Sequence, residues 1–169
     1  MSNFYEEIFK LKNLVRRGWQ LRIFTGERLE SDAEHCFSCC MLALKIIEDK
    51  KLELDTEKVL KMLLFHELGE IDVGDITPVD NVSKQDKYNM ERVAVSRIAN
   101  VFDMPDIYDL WCEFEENKTN EAKFCKMIDK LDTVLQSKQY SNEQNAQEPF
   151  TEFYNNAYNI IENYVEYCK

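Results

Sequence analysis

Glycine and proline are scarce in this chain, which has only 4 glycines and 3 prolines among 169 residues. Because these residues interrupt regular structure, their scarcity predicts long helices. Apolar residues near the start recur with a helical period, at Phe4, Ile8, Leu11 and Val15. Hydrophobic residues make up 44% of the chain, which is enough for one sizeable core. We therefore predict an all-α helical bundle that forms a single domain over residues 1–169.

Basic residues are also few relative to acidic residues. The chain has 21 lysines and arginines against 32 aspartates and glutamates, which gives a formal net charge of -11. Nucleic acid polymers are bound mainly by clustered lysine and arginine side chains, so this balance argues against DNA or RNA as a partner. A small anionic substrate is compatible with it, provided that a metal ion or a few arginines compensate the charge locally.

The chain has no long hydrophobic run and no basic, apolar start. Its first residues, Met-Ser-Asn-Phe-Tyr-Glu-Glu, lack the features of an export signal, and no segment approaches the length of a membrane span. We expect a cytoplasmic protein without a membrane partner, in which the six cysteines are reduced thiols. Cys36 and Cys39 have the C-x-x-C spacing of redox and zinc sites. They lie in an apolar helical stretch without a second close pair, so small buried hydrophobic residues are the favoured interpretation.

Helix-capping and helix-breaking residues predict where the first two helices begin and end. The first helix should end near Gly18, and a structured loop should follow from Trp19 to Glu30. Ser31 and Asp32 are both candidate N-caps for the next helix, which should run to about residue 48.

Asp55 should open the following helix, which is apolar nearly all round as far as Phe65. Such a helix is expected at the centre of the bundle, so His66 at its end should be buried. Residues 71 to 83 are predicted to be a loop. The remaining helices are predicted at 84–101, 105–116, 120–139 and 146–167, with a turn at 141–147 between the last two.

The two histidines are the only ones in the chain, and each stands beside a carboxylate, in Glu34-His35 and His66-Glu67. Imidazole and carboxylate together suit a borderline divalent metal. His35 near the start of one helix and His66 near the end of another would meet where antiparallel neighbours close. The fourth ligand must come from elsewhere, and Asp129 and Asp132 are both candidates. Asp129 is attractive because it interrupts a mostly apolar helix.

These residues resemble a known family. His35, the pair His66-Glu67 and Asp129 are similar to the H…HD…D motif of the HD-domain phosphohydrolases. Within that superfamily, the blocks at 34–35, 63–78 and 126–129 resemble the YfbR-like branch of small 5′-deoxynucleotidases. The resemblance covers most of the chain, from about residue 16 to residue 140, and implies an HD-type helical bundle.

The resemblance implies one divalent metal ion, which is Mn, Co, Mg, Fe or Zn, held by His35, His66, Glu67 and Asp129. A single ion is expected because dinuclear sites of this superfamily use additional histidines, which this chain lacks. The family's His-Asp pair is His-Glu here. The extra methylene moves the carboxylate outward by about one C–C bond, while a carboxylate oxygen ligates such a metal at about 2.0 to 2.2 Å. The helices must therefore adjust to it, or the contact must be monodentate or water-mediated.

The resemblance also implies the other site residues. Glu70 is the acid/base candidate, which would orient or deprotonate the attacking water. Asp75 would help to transfer a proton to the leaving 5′-oxygen. An arginine and a tryptophan upstream of the first histidine would hold the nucleotide, and Trp19 and Arg22 match best. The uncertain spacing leaves Arg16 and Arg17 as competitors.

The function that the resemblance implies is metal-dependent hydrolysis of 2′-deoxynucleoside 5′-monophosphates to deoxynucleoside and phosphate, with a small nucleotide as the partner. Two alternatives stay open. One is a non-catalytic nucleotide-binding or regulatory HD protein whose altered His-Glu pair has lost useful metal binding. The other is an HD hydrolase that acts on another nucleotide or phosphate ester. A homodimer is an open alternative to a monomer.

Overall fold

The computed structural model describes residues 2–22, 28–144 and 147–169, and regular structure in these ranges is helical. An isolated antiparallel bridge joins Val15 to Ser31. The helices are α1 (Ser2–Asn13), α2 (Arg17–Arg22), α3 (Asp32–Lys50), α4 (Thr56–Phe65), α5 (Glu70–Val73), α6 (Lys84–Phe102), α7 (Asp106–Glu116), α8 (Asn120–Gln144) and α9 (Glu148–Ile161), with short 3-10 helices at Pro78–Asp80 and Glu162–Cys168. The all-α prediction is confirmed.

Two helices begin at the predicted caps. Ser31 is the N-cap of α3: its side chain accepts a hydrogen bond from the backbone N–H of Glu34, and the Glu34 carboxylate accepts one from the N–H of Ser31. This capping box decides between the two candidates and leaves Asp32 as the first helical residue. Asp55 caps α4 by accepting from the N–H of Lys58.

The segment before α3 differs from the prediction. The first helix ends at Asn13, not near Gly18, and a second helix covers Arg17–Arg22 where part of the loop was expected. The N–H of Asp32 donates to the carbonyl of Leu14 over 2.9 Å, so the chain is drawn across the start of α3 and the first helix must end. Residues 23–27 of the predicted loop lie outside the described residues.

Other boundaries need smaller corrections. Residues 71 to 83 include the end of α5 and the 3-10 turn at Pro78–Asp80. The last predicted turn begins later than expected, because α8 continues to Gln144; residues 145 and 146 lie outside the described ranges. The final predicted helix is α-helical only to Ile161 and continues as 3-10 helix.

The core explains where the histidines lie. Val59, Met62 and Leu63 of α4 are fully buried among residues of α3, α7 and α8, so α4 is central as predicted. The end of α4 therefore opens into the middle of the bundle, and His66 is only 6% exposed. Among the described residues, no helix combines the length and apolar character needed to cross a bilayer.

Candidate metal centre and active-site cleft

The two histidines meet at the centre of the bundle. Nε2 of His35, on α3, lies 3.4 Å from Nε2 of His66, which caps the C-terminus of α4. Nδ1 of His66 donates to the carbonyl of Leu63 over 2.7 Å, since a carbonyl oxygen only accepts. This bond leaves Nε2 of His66 as the nitrogen that can bind a cation.

Asp129 and Asp132, one turn apart on α8, contact opposite sides of the His35 ring. Oδ2 of Asp132 lies 2.7 Å from Nδ1, and Oδ1 of Asp129 lies 3.4 Å from Nε2. A metal-binding histidine usually donates its other ring N–H to such a carboxylate, which orients the ring. Asp132 is therefore placed to orient His35, and Asp129 is placed beside the nitrogen that would ligate a metal.

Glu67 reaches the same point despite its longer side chain. Its Oε1 lies 3.3 Å from Nε2 of His66 and 3.7 Å from Nε2 of His35. The chain leaves the helical path here, and the turn that follows packs tightly on α6: a Cβ built on Gly69 would lie 2.9 Å from Cβ of Glu91. Because glycine has no Cβ, the backbone after Glu67 can approach α6 this closely.

These four side chains form a group that fits a cation. One ligand atom from each of His35, His66, Glu67 and Asp129 lies within 4.8 Å of the others. Two imidazole nitrogens and two carboxylate oxygens are donors that suit a divalent transition metal. The structure thus brings together all four residues that the sequence predicted as ligands.

The protonation of the group is consistent with a cation site. Burial opposes the charged form of His35, but hydrogen bonds to Asp129 and Asp132 outweigh it and raise the pKa of the imidazole to about 9. Burial also opposes the ionisation of Glu67, yet the neighbouring His66 holds the pKa of that carboxyl well below its usual range. In the absence of a metal ion, the His35 imidazole is therefore expected to hold a proton. Protons and a metal ion then compete for the same group of side chains.

Arg16 is the arginine that contacts this group. Its Nη1 lies 3.2 Å from Oε1 of Glu67, and its Nε lies 3.7 Å from Oε2 of Glu30. The indole N–H of Trp19 donates to the same oxygen of Glu30 over 2.9 Å. Trp19 is only 1% exposed and packs against Tyr140, so it anchors the segment that carries the arginine.

The other two candidate arginines, Arg22 and Arg17, each pair with an acidic residue outside this group. Arg22 makes a bidentate contact with the carboxylate of Glu152 on α9, with its Nε 2.9 and 2.8 Å from the two oxygens. Arg17 pairs with Asp80 over 2.6 Å. Arg22 and Trp19, the predicted nucleotide-binding pair, both border the cleft described next.

We call His35, His66, Glu67 and Asp129 the metal group. A cleft of about 550 Å³ opens next to it. This volume lies in the range of roughly 300 to 1,000 Å³ that is typical of small-molecule sites. Three of the four residues of the group, His66, Glu67 and Asp129, line the cleft, as do Glu70 and Asp75. Six basic residues of this acidic protein also line it: Arg16, Arg22, Lys84, Lys87, Lys126 and Lys130.

A second group of carboxylates lies beside the metal group. Asp32, Glu70 and Asp75 offer oxygens within 4.8 Å of one another, a spacing that could hold a cation. Burial raises the pKa of Glu70 well above its usual range, and the nearby carboxylates raise it further. Lys87 lies 3.3 Å from the Glu70 carboxylate. The Asp75 carboxylate accepts from the backbone N–H of Arg17 over 2.7 Å.

Sequence reasoning missed Asp32 as a member of this group and considered it only as a helix cap. The residue is fully buried, and neither of its carboxylate oxygens has a hydrogen-bond partner in the described part of the chain. Burial raises the pKa of Asp32 to about 8, and Glu67 adds to the effect. An acidic residue at the first turn of a helix is common, so the pattern around the cap held no signal for this role.

Asp32→Asn is expected to stabilise the metal-free protein at pH 8. Because the folded-state pKa of about 8 lies above the ordinary 3.8, the folded state binds a proton that the unfolded chain releases. The free energy of unfolding of the wild type therefore falls as the pH rises between these values and is lowest above pH 8. We therefore expect the gain in stability of the variant to be larger at pH 8 than at pH 5, by roughly 3 to 4 kcal/mol.

Urea unfolding in the presence of a chelator, at pH 5 and pH 8, measures this difference. Asp109→Asn is the matched control, because Asp109 is exposed on α7. If the Asp32 variant were less stable than the wild type at pH 8, Asp32 would have a stabilising partner in the folded protein.

Comparisons with known proteins agree with this geometry. A family model described as HD domain matches residues 8–168. The 5′-deoxynucleotidase HDDC2 of Dictyostelium discoideum is 38% identical over 156 residues, which cover 85% of this chain and 80% of the relative. A solved structure titled PH0347 protein, from Pyrococcus horikoshii, superposes with a TM-score of 0.80 at 26% identity, covering 99% of this chain and 98% of the other.

A second solved structure, a predicted metal-dependent phosphohydrolase from Magnetospirillum magnetotacticum, has a TM-score of 0.65 at 27% identity and covers 92% of this chain and 80% of the other. A buried pair of histidines with two carboxylates in a helical bundle is the kind of site that such a hydrolase needs. The chain belongs to the HD-domain phosphohydrolases, in the group of the HDDC2-like 5′-deoxynucleotidases.

Proposed function

We propose that this enzyme hydrolyses 2′-deoxynucleoside 5′-monophosphates to deoxynucleoside and phosphate, using one divalent cation held by His35, His66, Glu67 and Asp129. The observation that carries the proposal is the position of this group beside a cleft of about 550 Å³, which His66, Glu67 and Asp129 line together with basic side chains. The name shared by the relatives, 5′-deoxynucleotidase, supports the substrate class.

The four ligands would leave one or two coordination positions for water and a phosphate oxygen. A divalent ion at such a site lowers the pKa of a water ligand and neutralises charge that develops on phosphorus. Mn, Co, Mg, Fe and Zn are all compatible with nitrogen and carboxylate oxygen donors, so the donor set does not select among them.

Glu70 and Asp75 are proposed to move the protons. Glu70 is 5% exposed and lines the cleft, where its carboxylate could accept a proton from the attacking water. Asp75 is held at the cleft by the N–H of Arg17, where it would pass a proton to the leaving 5′-oxygen. Lys87 on α6 also donates to the carbonyl of Ile76 over 3.1 Å. This bond holds the loop that follows Asp75 against α6.

Arg16 is proposed to bind the phosphate. It lies 3.2 Å from a proposed metal ligand and lines the cleft, so a phosphate on the metal would lie next to its guanidinium. A dianionic monophosphate can be balanced by one metal ion and one or two basic side chains. A triphosphate would need more cationic groups than the site offers, because most of the basic residues in the cleft already pair with acids such as Glu91 and Glu115.

Trp19 and Arg22 stay proposed for the nucleoside end of the cleft. Trp19 packs against Phe153 with ring centroids 4.7 Å apart, and Arg22 lies over the same ring, 5.5 Å from its centroid. This apolar wall would leave a ribose 2′-hydroxyl without a partner, at a cost of roughly 1 to 3 kcal/mol.

A panel of nucleoside mono-, di- and triphosphates with several divalent metals tests the proposal, with free phosphate and nucleoside as readouts. We expect kcat/KM for dAMP to exceed that for AMP by about tenfold or more, with little release from dGTP. Equal values for dAMP and AMP would remove the deoxy preference. Faster release of triphosphate from dGTP would overturn the monophosphatase proposal itself.

Arg16→Gln is expected to lower kcat/KM for dAMP by about 10- to 100-fold, because it removes a charged contact to the phosphate. Arg22→Gln should cost less, since Arg22 pairs with Glu152 on α9 and Arg16 contacts the proposed metal ligand Glu67. Steady-state kinetics of the two variants at saturating metal measure the difference. A larger loss for Arg22→Gln would identify Arg22 as the phosphate-binding arginine.

A further inference from the structure

A buried glutamate next to Arg16 takes no part in the proposed reaction. Glu30 immediately precedes Ser31, the N-cap of α3, and is 6% exposed. Its carbonyl accepts a hydrogen bond from the backbone N–H of Arg16 over 3.0 Å, and its Oε2 lies 3.7 Å from Nε of the Arg16 guanidinium. One residue therefore contacts both the backbone and the side chain of the arginine.

Other partners fix the position of the Glu30 carboxylate. The indole N–H of Trp19 donates to Oε2 over 2.9 Å, and the backbone N–H of Glu30 donates to the hydroxyl of Tyr140 on α8, also over 2.9 Å. At 3.7 Å, the contact with Arg16 is an ion pair and not a hydrogen bond. The negative charge beside the arginine is therefore held by the bundle, not by the arginine itself.

Three segments of the chain contact the Arg16 guanidinium, one at each of its nitrogens. Nε lies beside Glu30, Nη1 donates to Oε1 of Glu67 over 3.2 Å, and Nη2 donates to the hydroxyl of Thr133 over 3.4 Å. A guanidinium has five N–H donors, two of them on each terminal nitrogen, so each terminal nitrogen keeps one N–H for a phosphate. Two donors in a fixed plane suit the bidentate contact that arginine makes with phosphate.

We propose that Glu30 is a positioning residue, which holds the Arg16 guanidinium in the orientation that binds the phosphate of the substrate. This inference rests on the proposed role of Arg16 in phosphate binding. Glu30→Gln would keep the shape of the side chain and an oxygen for the Trp19 N–H but remove the charge. The guanidinium would then lose one of its two ion-pair partners, and its freedom would have to be restricted again when a phosphate binds.

Calorimetric titration of inorganic phosphate into the Mg²⁺-saturated full-length protein tests the proposal without turnover, so its failure is distinguishable from failure of the proposed hydrolysis. We expect Glu30→Gln to weaken phosphate binding about 5- to 10-fold and to leave the affinity for Mg²⁺ unchanged. In an Arg16→Gln background, the same replacement should weaken phosphate binding by less than about twofold, because its effect passes through the arginine.

Steady-state kinetics with dAMP should show the same pattern. The loss in Glu30→Gln should appear mainly in KM, because the phosphate contact is already made in the bound ground state. Glu7→Gln is the matched control. Glu7 is also 6% exposed and pairs with an arginine, Arg97, over 2.9 Å, but it lies on α1 outside the cleft. Its replacement should change neither phosphate binding nor KM.

Equal losses in the wild-type and Arg16→Gln backgrounds would contradict the proposal, because Glu30 would then act independently of the arginine. Unaltered phosphate binding in Glu30→Gln, a matching loss of Mg²⁺ affinity, or a wild type that does not bind phosphate would also overturn it. Circular dichroism shows whether each variant is folded. If the glutamine variant does not fold, Glu30→Asp, which withdraws the charge by one methylene, takes its place in the same titrations.

Discussion

Replacing His66 with alanine is expected to abolish stoichiometric binding of the hydrolytic metal and to lower kcat/KM by at least about 1,000-fold. The side chain supplies one of two imidazole nitrogens, which face each other across 3.4 Å, and no other histidine exists in the chain to replace it. Loss of residues that merely orient a ligand already costs about 10- to 100-fold in metal affinity, so loss of the ligand itself should cost more.

Isothermal titration with Mn²⁺ and elemental analysis of the purified protein measure this loss. Leu64→Ala is the control, because that side chain lies two residues away on α4 and is 49% exposed. If His66→Ala kept one equivalent of metal, the ion would lie elsewhere, and the carboxylate group of Asp32, Glu70 and Asp75 would be the first alternative.

Glu70→Gln should leave the metal in place and reduce kcat by about 100- to 10,000-fold, which is the range expected when a general acid or base is removed. Glutamine keeps the shape of the side chain and its contact with Lys87, but it cannot accept a proton. Metal content and single-turnover kinetics separate the two effects.

Glu91→Gln is the matched control for this variant. Glu91 is also a buried acid that lines the cleft and pairs with Lys87, at 3.3 Å, but it lies on α6 outside the carboxylate group. We expect its replacement to change kcat far less. If Glu70→Gln kept a near wild-type kcat, Asp75 or Asp32 would be the candidate for the proton transfer instead.

Local sequence patterns predicted much of the fold and the metal group. The apolar period and the caps at Ser31 and Asp55 depend on residues three or four positions apart, so they can be recognised without the tertiary structure. The same period identified α4 as central, and this placed His66 in the interior. Asp129 was recognisable because an acid in an apolar stretch is unusual unless it has a partner.

The course of the chain before α3 was harder to predict. Arg16 meets Glu67 across 51 residues and Thr133 across 117, and neither contact leaves a periodic trace in the sequence. The helix at Arg17–Arg22 follows the bridge between Val15 and Ser31, which is also a non-local contact. Only the structure therefore shows which of the three candidate arginines contacts the proposed metal ligand Glu67.

The sequence alone specified most of the helices from α3 onward, the cap at Asp55 and the residues that could bind a metal, because each of these follows from residue type and short-range spacing. Only the tertiary structure brought Asp32 beside Glu70 and placed Asp129 and Asp132 on different nitrogens of the His35 ring. These arrangements depend on how whole helices pack, and side-chain packing acts between residues far apart in the chain, where local periodicity holds no information.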